Sequence, residues 1–199
     1  VSFRAAGIAT YWAHATAKEW HNTGDIAVAN DASVKNGCYL SGLVSGDFKT
    51  DGIDGCDNTG KLTVGDNITF NGMVRISGIA DTVTSENTPE IDCWNSGALS
   101  IGYCNDTNTD RNKGRLYMAG LINTLNSGAL KNCQNKAGGT ITANVNTWQK
   151  ELMIGGLVAY QGNTTNIEDQ VVSLTDCENF AAIKISAVKA GGSYVGGVS

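Results

Sequence analysis

The residues of this chain best suited to chemistry fall into four sets. His21, Asp25, Asp57 and Lys61 form the one mixed acid–base group, with His21 and Asp57, and likewise Asp25 and Lys61, at equivalent places in two copies of a motif. Paired carboxylates beside a base can act as general acid and base on a polysaccharide, and a solvated face has the same composition. Asp106-Thr107-Asn108-Thr109-Asp110 sets oxygen donors at every second position, making Asp106, Asn108 and Asp110 a calcium candidate. Against it, Arg111 stands where such a loop turns on Gly and Tyr117 where its bidentate Glu belongs, so a plain polar turn competes.

The third set is cysteine. Cys56, Cys93, Cys133 and Cys177 open four copies of the motif, with Trp20 in the fifth. Neighbouring copies can bring such thiols close enough to pair, but a column of like residues also reads as small buried hydrophobes. Cys38 shares the inward parity, and Cys104 is expected in a loop as the one reactive thiol. No Cys-x-x-Cys spacing or His pairing supports zinc. The fourth set is Arg4, Tyr39, Arg75, Tyr117, Met153 and Tyr194, three residues before successive glycines. Stacked, they give an outward strip of Arg on Tyr, worth about 0.5–1 kcal/mol per exposed contact. The strip either stabilises a sheet or seats a glycan or peptide. No Ser-His-Asp set or Gly-rich phosphate loop can be assembled, and the column Ala27, Thr63, Ser100, Thr142, Lys184 lacks a Thr-x-Thr array.

What positions these residues is a repeat. Cys56-Asp57-Asn58-Thr59-Gly60-Lys61-Leu62-Thr63-Val64 returns around Asn22, Asn95, Asn135 and Asn179, with Cys or Trp, Asn, Gly or Ala, and aliphatic residues at alternate positions. A period of two belongs to a pleated strand, so the fixed set faces inward. The two extra residues at Ala137-Gly138-Gly139 preserve that parity. Buried Asn22, Asn58, Asn95, Asn135 and Asn179 need partners for both amide atoms, and stacked Asn residues supply them, so this column fixes register.

A second motif, small-Gly-aliphatic, interleaves at Gly7, Gly42, Gly78, Gly120, Gly156 and Gly197, the last in Gly196-Gly197-Val198. Its steps are 35, 36, 42, 36 and 41 residues. Such periods indicate a stacked array. The expected fold is all-β: a right-handed parallel β-helix (β-solenoid) of about five coils of three strands, right-handed by the general preference of parallel crossovers. It makes 1–199 a single domain with repeats near 7–41, 42–77, 78–119, 120–155 and 156–196. Protruding loops at about 102–115 and 160–171 are the first candidates for partner contact. Tyr11, Trp12 and His14, close to Trp20 and His21, offer either a sugar platform or a bulky edge filling the core.

Twenty-five Gly, one Pro and 17% charged residues suit strands and tight turns. A net charge of −5 argues against nucleic acid, which wants clustered Lys and Arg. No run approaches the ~20 apolar residues of a membrane span. Strand pattern reaches both ends without a signal peptide or capping repeat, so the sequence reads as a fragment of a longer or processed chain.

Cys-x-Asn-x-Gly-x-aliphatic together with Gly155-Gly156-Leu157-Val158 resembles the GLUG-type repeats of bacterial cell-surface proteins, common in gut Bacteroidetes. The position after Leu-Val, Gly in that family, is Ser45, Asp81, Asn123 or Ala159 here. The resemblance implies an extracellular, adhesin-like, non-catalytic repeat module without cofactors: a rigid stalk or adhesive display surface. Its partners would be a host or neighbouring-cell glycan or protein, and further repeats or domains of the same polypeptide. The alternatives are a carbohydrate-binding module using the Arg/Tyr strip, and a polysaccharide-degrading β-helix enzyme using the acidic pair.

Overall fold

The computed structural model describes residues 2–34, 36–85, 88–107, 114–162 and 172–197, with the side chain of Val188 left aside. Every described strand pair is parallel, and each joins like positions of neighbouring repeats. Cys93 lies opposite Cys56 and Asn95 opposite Asn58, and the Gly-motif strands align Arg4 with Tyr39, Arg75 with Tyr117 and Met153 with Tyr194.

The strands form two sheets, with main paths of eight and seven strands. The first path runs through Phe3–Ala6, Cys38–Ser41, Val74–Ser77 and Leu116–Ala119 into the 15-residue strand Ile141–Gly155, then back through Leu99–Asp106, Leu62–Val64 and Ile26–Val28. The second turns back in the same way through Val44–Asn58, from Val158–Gln161, Ile122–Leu125 and Ala80–Thr84 out to Glu90–Asn95, Gly128–Lys131 and Val172–Thr175. Each sheet therefore folds back on itself into a nearly closed, barrel-like layer.

This corrects the expected right-handed β-helix of three-strand coils, and with it the solenoid architecture. The cause lies in the two long strands. Ile141, Ala143 and Val145 point inward on odd numbers, whereas Trp148, Leu152 and Ile154 do so on even numbers. One irregular step between Val145 and Thr147, against Leu99–Asp106, lets the same strand change face and carry on, so segments expected to end at corners weld their neighbours into one sheet.

Each layer has its own core. One cluster gathers Leu40, Leu62, Phe70, Ile76, Leu99 and Trp148; the other gathers Leu43, Phe48, Ile53, Cys56, Cys93 and Leu121. Trp148 donates its indole N–H to Gly114 O at 2.7 Å, which satisfies the largest buried side chain. Trp12 and Trp20 meet edge to face, with centroids 4.7 Å apart, and Trp20 stacks on Phe48. These tryptophans fill the edge of the second core, while Tyr11 stays 57% exposed.

The two sequence motifs meet physically. Asn58 Nδ2 donates to Asn95 Oδ1 at 2.8 Å and to Gly60 O at 2.9 Å; Asn95 does the same to Asn135 and Gly97, both at 3.0 Å. The ladder runs unbroken from Asn22 to Asn179. Packed against it are the glycines of the second motif: a Cβ on Gly42 or Gly78 would stand 2.6 Å from the Cγ of Asn58 or Asn95. Glycine is needed there for close approach of chain to side chain.

Candidate functional site: a cleft on the Arg/Tyr column

The Gly-motif strands bring Arg4, Tyr39 and Arg75 side by side, and the adjoining strands Val44–Asn58 and Ala80–Thr84 supply Asp47, Asp81 and Thr82. With Thr10 and Tyr11 they line a cleft of about 570 Å³, within the range of small-molecule sites, roughly 300–1,000 Å³. The Arg4 guanidinium lies over the Tyr39 ring, 4.2 Å from its centroid, and donates to Ser45 O at 2.6 Å. Arg75 lies 4.9 Å over Tyr117, and its Nη1 donates to Asp81 Oδ1 and Thr82 Oγ1, each at 3.2 Å.

Asp81 anchors the cleft. It is only 3% exposed, and its burial pushes the carboxyl up from the ordinary range, against the opposing pull of Arg75 and then Arg4. Its Oδ2 stands 3.9 Å from Arg4 Nη1, so both arginines are held from one buried carboxylate. Sequence parity did not reveal its partnership with the strip, because the two belong to different sheets.

The column is not the uniformly exposed strip expected. Tyr117 is buried at 3% exposure, with Tyr160 packed edge to face against it at 6.3 Å. Tyr194 is 63% exposed at the far end of the column. Of the column, Arg4, Tyr39 and Arg75 line the cleft, and Tyr11 joins them.

The acid–base group divides into two couples. His21 Nδ1 is hydrogen-bonded to Oδ2 of Asp57, while Asp25 Oδ1 accepts from the Lys61 backbone N–H at 2.8 Å. A base with an orienting carboxylate is two thirds of a hydrolase triad; among the described residues no hydroxyl or thiol bonded to His21 completes it. A second, smaller opening of about 270 Å³ is lined by Asp51, Asp54, Glu90 and Asp92. There burial, then Asp54 and Glu90, push the Asp92 carboxyl up. Lys18 pairs with Asp54 and Lys131 with Glu90, as on an ordinary charged surface.

Of the calcium candidate, Asp106 is a buried residue at the end of Leu99–Asp106, and Asn108 and Asp110 lie outside the described residues. Among the described residues no group of three or more His, Cys, Asp or Glu side chains is placed to hold a metal ion. Of the candidate loops, Gly102–Asp106 continues a strand and Tyr160–Gln161 ends one, with 108–113 and 163–171 outside the described residues, as is Val198.

All six thiols are free. Cys93 and Cys133 approach to 3.8 Å between sulfurs, and the Cys93 thiol is pushed well up by that hydrogen bond and by burial. Cys104 is not the loop thiol expected. The strand runs through it, the side chain is fully buried, its thiol donates to Gly65 O at 3.1 Å, and burial pushes it up to about 11. Cys177, half-buried in the last repeat, is the more accessible.

No family model, curated protein or solved structure matches the chain. Nothing in these comparisons identifies a GLUG-type repeat, and the adhesin role and Bacteroidetes source that followed from it are withdrawn. No helix is long and apolar enough to cross a membrane among the described residues, which leaves β-barrels untouched.

Proposed function

We propose that this chain is a non-catalytic repeat module of a secreted or surface-exposed protein, and that it presents the Arg4–Tyr39–Arg75 cleft to a carbohydrate. One observation carries the reading: a cleft of ligand size in which stacked Arg and Tyr side chains are fixed from beneath by Asp81. Pre-fixed polar groups bind without the cost of ordering them. The exposed Tyr11 ring offers a face for sugar C–H groups, and the Thr10, Thr82 and Asp47 oxygens suit hydroxyls. Two guanidiniums face two carboxylates around the opening, so an uncharged saccharide fits it better than a polyanion. A display role is supported by the in-register stack, which holds the cleft on a hydrogen-bonded ladder.

Glycan-array screening followed by calorimetric titration tests the proposal. Tyr11→Ala and Arg4→Ala should each weaken binding at least ~10-fold, equivalent to ~1.4 kcal/mol, with an unchanged far-UV spectrum. Tyr103→Ala, exposed elsewhere on the surface, should leave it alone. Absence of glycan binding, or binding indifferent to both cleft variants, would remove carbohydrate from the reading.

A further inference from the structure

Cys93 and Cys133 stand in neighbouring repeats with their sulfurs 3.8 Å apart, both fully buried in the second core. The direction of each thiol separates this pair from the rest of the column. Cys56 Sγ accepts from the Trp20 N–H and donates to Ala17 O, each at 3.5 Å, on the side of the preceding repeat and away from Cys93. Cys177 donates to Thr175 O of its own repeat at 3.2 Å. Cys133 leans onto the strand of Cys93, donating to Ile91 O at 3.0 Å with its sulfur against the Cys93 thiol.

The backbone accounts for the difference. Strand Glu90–Asn95 runs unbroken through Cys93. Cys133 falls between the strands Gly128–Lys131 and Gln134–Asn135, directly after Asn132 with its φ of 56°. Ile91 pairs with Leu130 and Trp94 with Gln134, so the Cys133 side carries one residue more than the Cys93 side. An extra residue of this kind re-aims a side chain, and here it turns the Cys133 sulfur toward Cys93. Gly55, with a φ of 62°, makes the same left-handed step before Cys56, and that sulfur is aimed at the repeat where Trp20 stands in place of a thiol.

A disulfide needs Cα atoms about 4.4–6.8 Å apart, and neighbouring strands lie about 4.8 Å apart. From 3.8 Å the sulfurs have about 1.8 Å left to close to a bond of ~2.05 Å, which a change of side-chain torsion covers.

We propose that Cys93 and Cys133 form a disulfide that staples the third repeat to the fourth when the chain folds in the presence of a disulfide donor. The donor is a dithiol oxidase in its disulfide form or a small-molecule disulfide. Both cysteines are buried in the folded chain, so the exchange runs before the two repeats pack. The thiolate of one cysteine attacks the donor disulfide, giving a mixed disulfide and one donor thiolate. The thiolate of the other then attacks the protein sulfur of that mixed disulfide and expels the second donor thiolate. The two protons given up by the cysteines end on the two donor sulfurs, so the chain loses two electrons and the donor gains them. Packing of the repeats retains this pairing because these two sulfurs are already aimed at each other. The bond joins positions 40 residues apart and so restricts the unfolded chain.

Peptide mapping tests the staple. The chain is exported to a bacterial periplasm, where disulfides persist, and in parallel refolded from urea with oxidised and reduced glutathione. Remaining thiols are blocked with iodoacetamide in denaturant before a non-reducing digest is read by mass spectrometry. One linked pair of peptides, Cys93 to Cys133, is expected by either route, with Cys38, Cys56, Cys104 and Cys177 alkylated. The urea midpoint of this protein should fall when reductant is added. Cys56→Ala should keep that dependence, and Cys93→Ala should lose it. Folded protein from both routes with Cys93 and Cys133 alkylated, or with either linked to another cysteine, would overturn the proposal whatever the variants do.

Discussion

Gly78→Ala should be close to the most damaging single methyl group this chain can receive, costing at least ~4 kcal/mol or preventing folding, beyond the roughly 1–3 kcal/mol usual for an overpacked core. The new Cβ would stand 2.6 Å from Asn95 Cγ and crowd the Gly120 carbonyl. Neither neighbour is the free end of a flexible side chain. Gly78 is tied to Ala119 O at 3.1 Å, and Asn95 is held at both amide atoms. Relief therefore requires two repeats to move apart along a packed interface. Urea midpoints read the effect, with Gly24→Ala as the control. A Cβ on Gly24 would meet only Asn22 Oδ1, at an ordinary 3.7 Å, so that change should cost under ~1 kcal/mol.

Asn95→Leu keeps the volume and removes every hydrogen bond. Asn95 is fully buried. Its loss strands the Asn135 Oδ1 and the Gly97 carbonyl, leaves the Gly97 N–H with Asn58 O alone at 3.3 Å, and leaves Asn58 Nδ2 with Gly60 O alone. A buried polar group left without its partner costs about 1–3 kcal/mol; with several groups affected, a loss of ~4 kcal/mol is expected. Asn179→Leu, at the half-buried end of the ladder with one neighbour instead of two, should cost ~1–2 kcal/mol. Equal losses at the two positions would mean that the ladder does not act through burial.

The sequence was most legible where one chemical constraint leaves one pattern. Alternation by two placed Asn58 and Cys56 on one face, and the near-constant repeat put Asn95 and Cys93 beside them. All-β character and parallel neighbours follow from the same spacing. The division into two sheets was not legible, because it depends on whether a strand stops at a corner. Val44–Asn58 and Ile141–Gly155 do not stop, and a one-residue irregularity such as that between Val145 and Thr147 leaves no mark in an alternating sequence. The role of Gly42 and Gly78 was hidden for a different reason: glycine reads equally as a turn or as close approach, and the Asn that fills the space is about sixteen residues away.

The cleft was half legible. Spacing before each Gly identified Arg4, Tyr39 and Arg75 as one column. The burial of Tyr117 and the anchoring by Asp81 arise from contacts across elements, with Tyr160 and with the neighbouring sheet. Cys104 was misplaced because a polar stretch, Asn105-Asp106-Thr107, reads as loop although the strand runs to Asp106.

The central claim is that each asparagine sits over its counterpart in the next repeat, with parallel strands on either side. Nuclear Overhauser contacts among the side-chain amide protons of Asn22, Asn58, Asn95, Asn135 and Asn179 test it most directly. An unbroken series of contacts, each asparagine to the next, is the expected result. Contacts confined within single repeats, with flanking backbone protons arranged as in antiparallel hairpins, would contradict it.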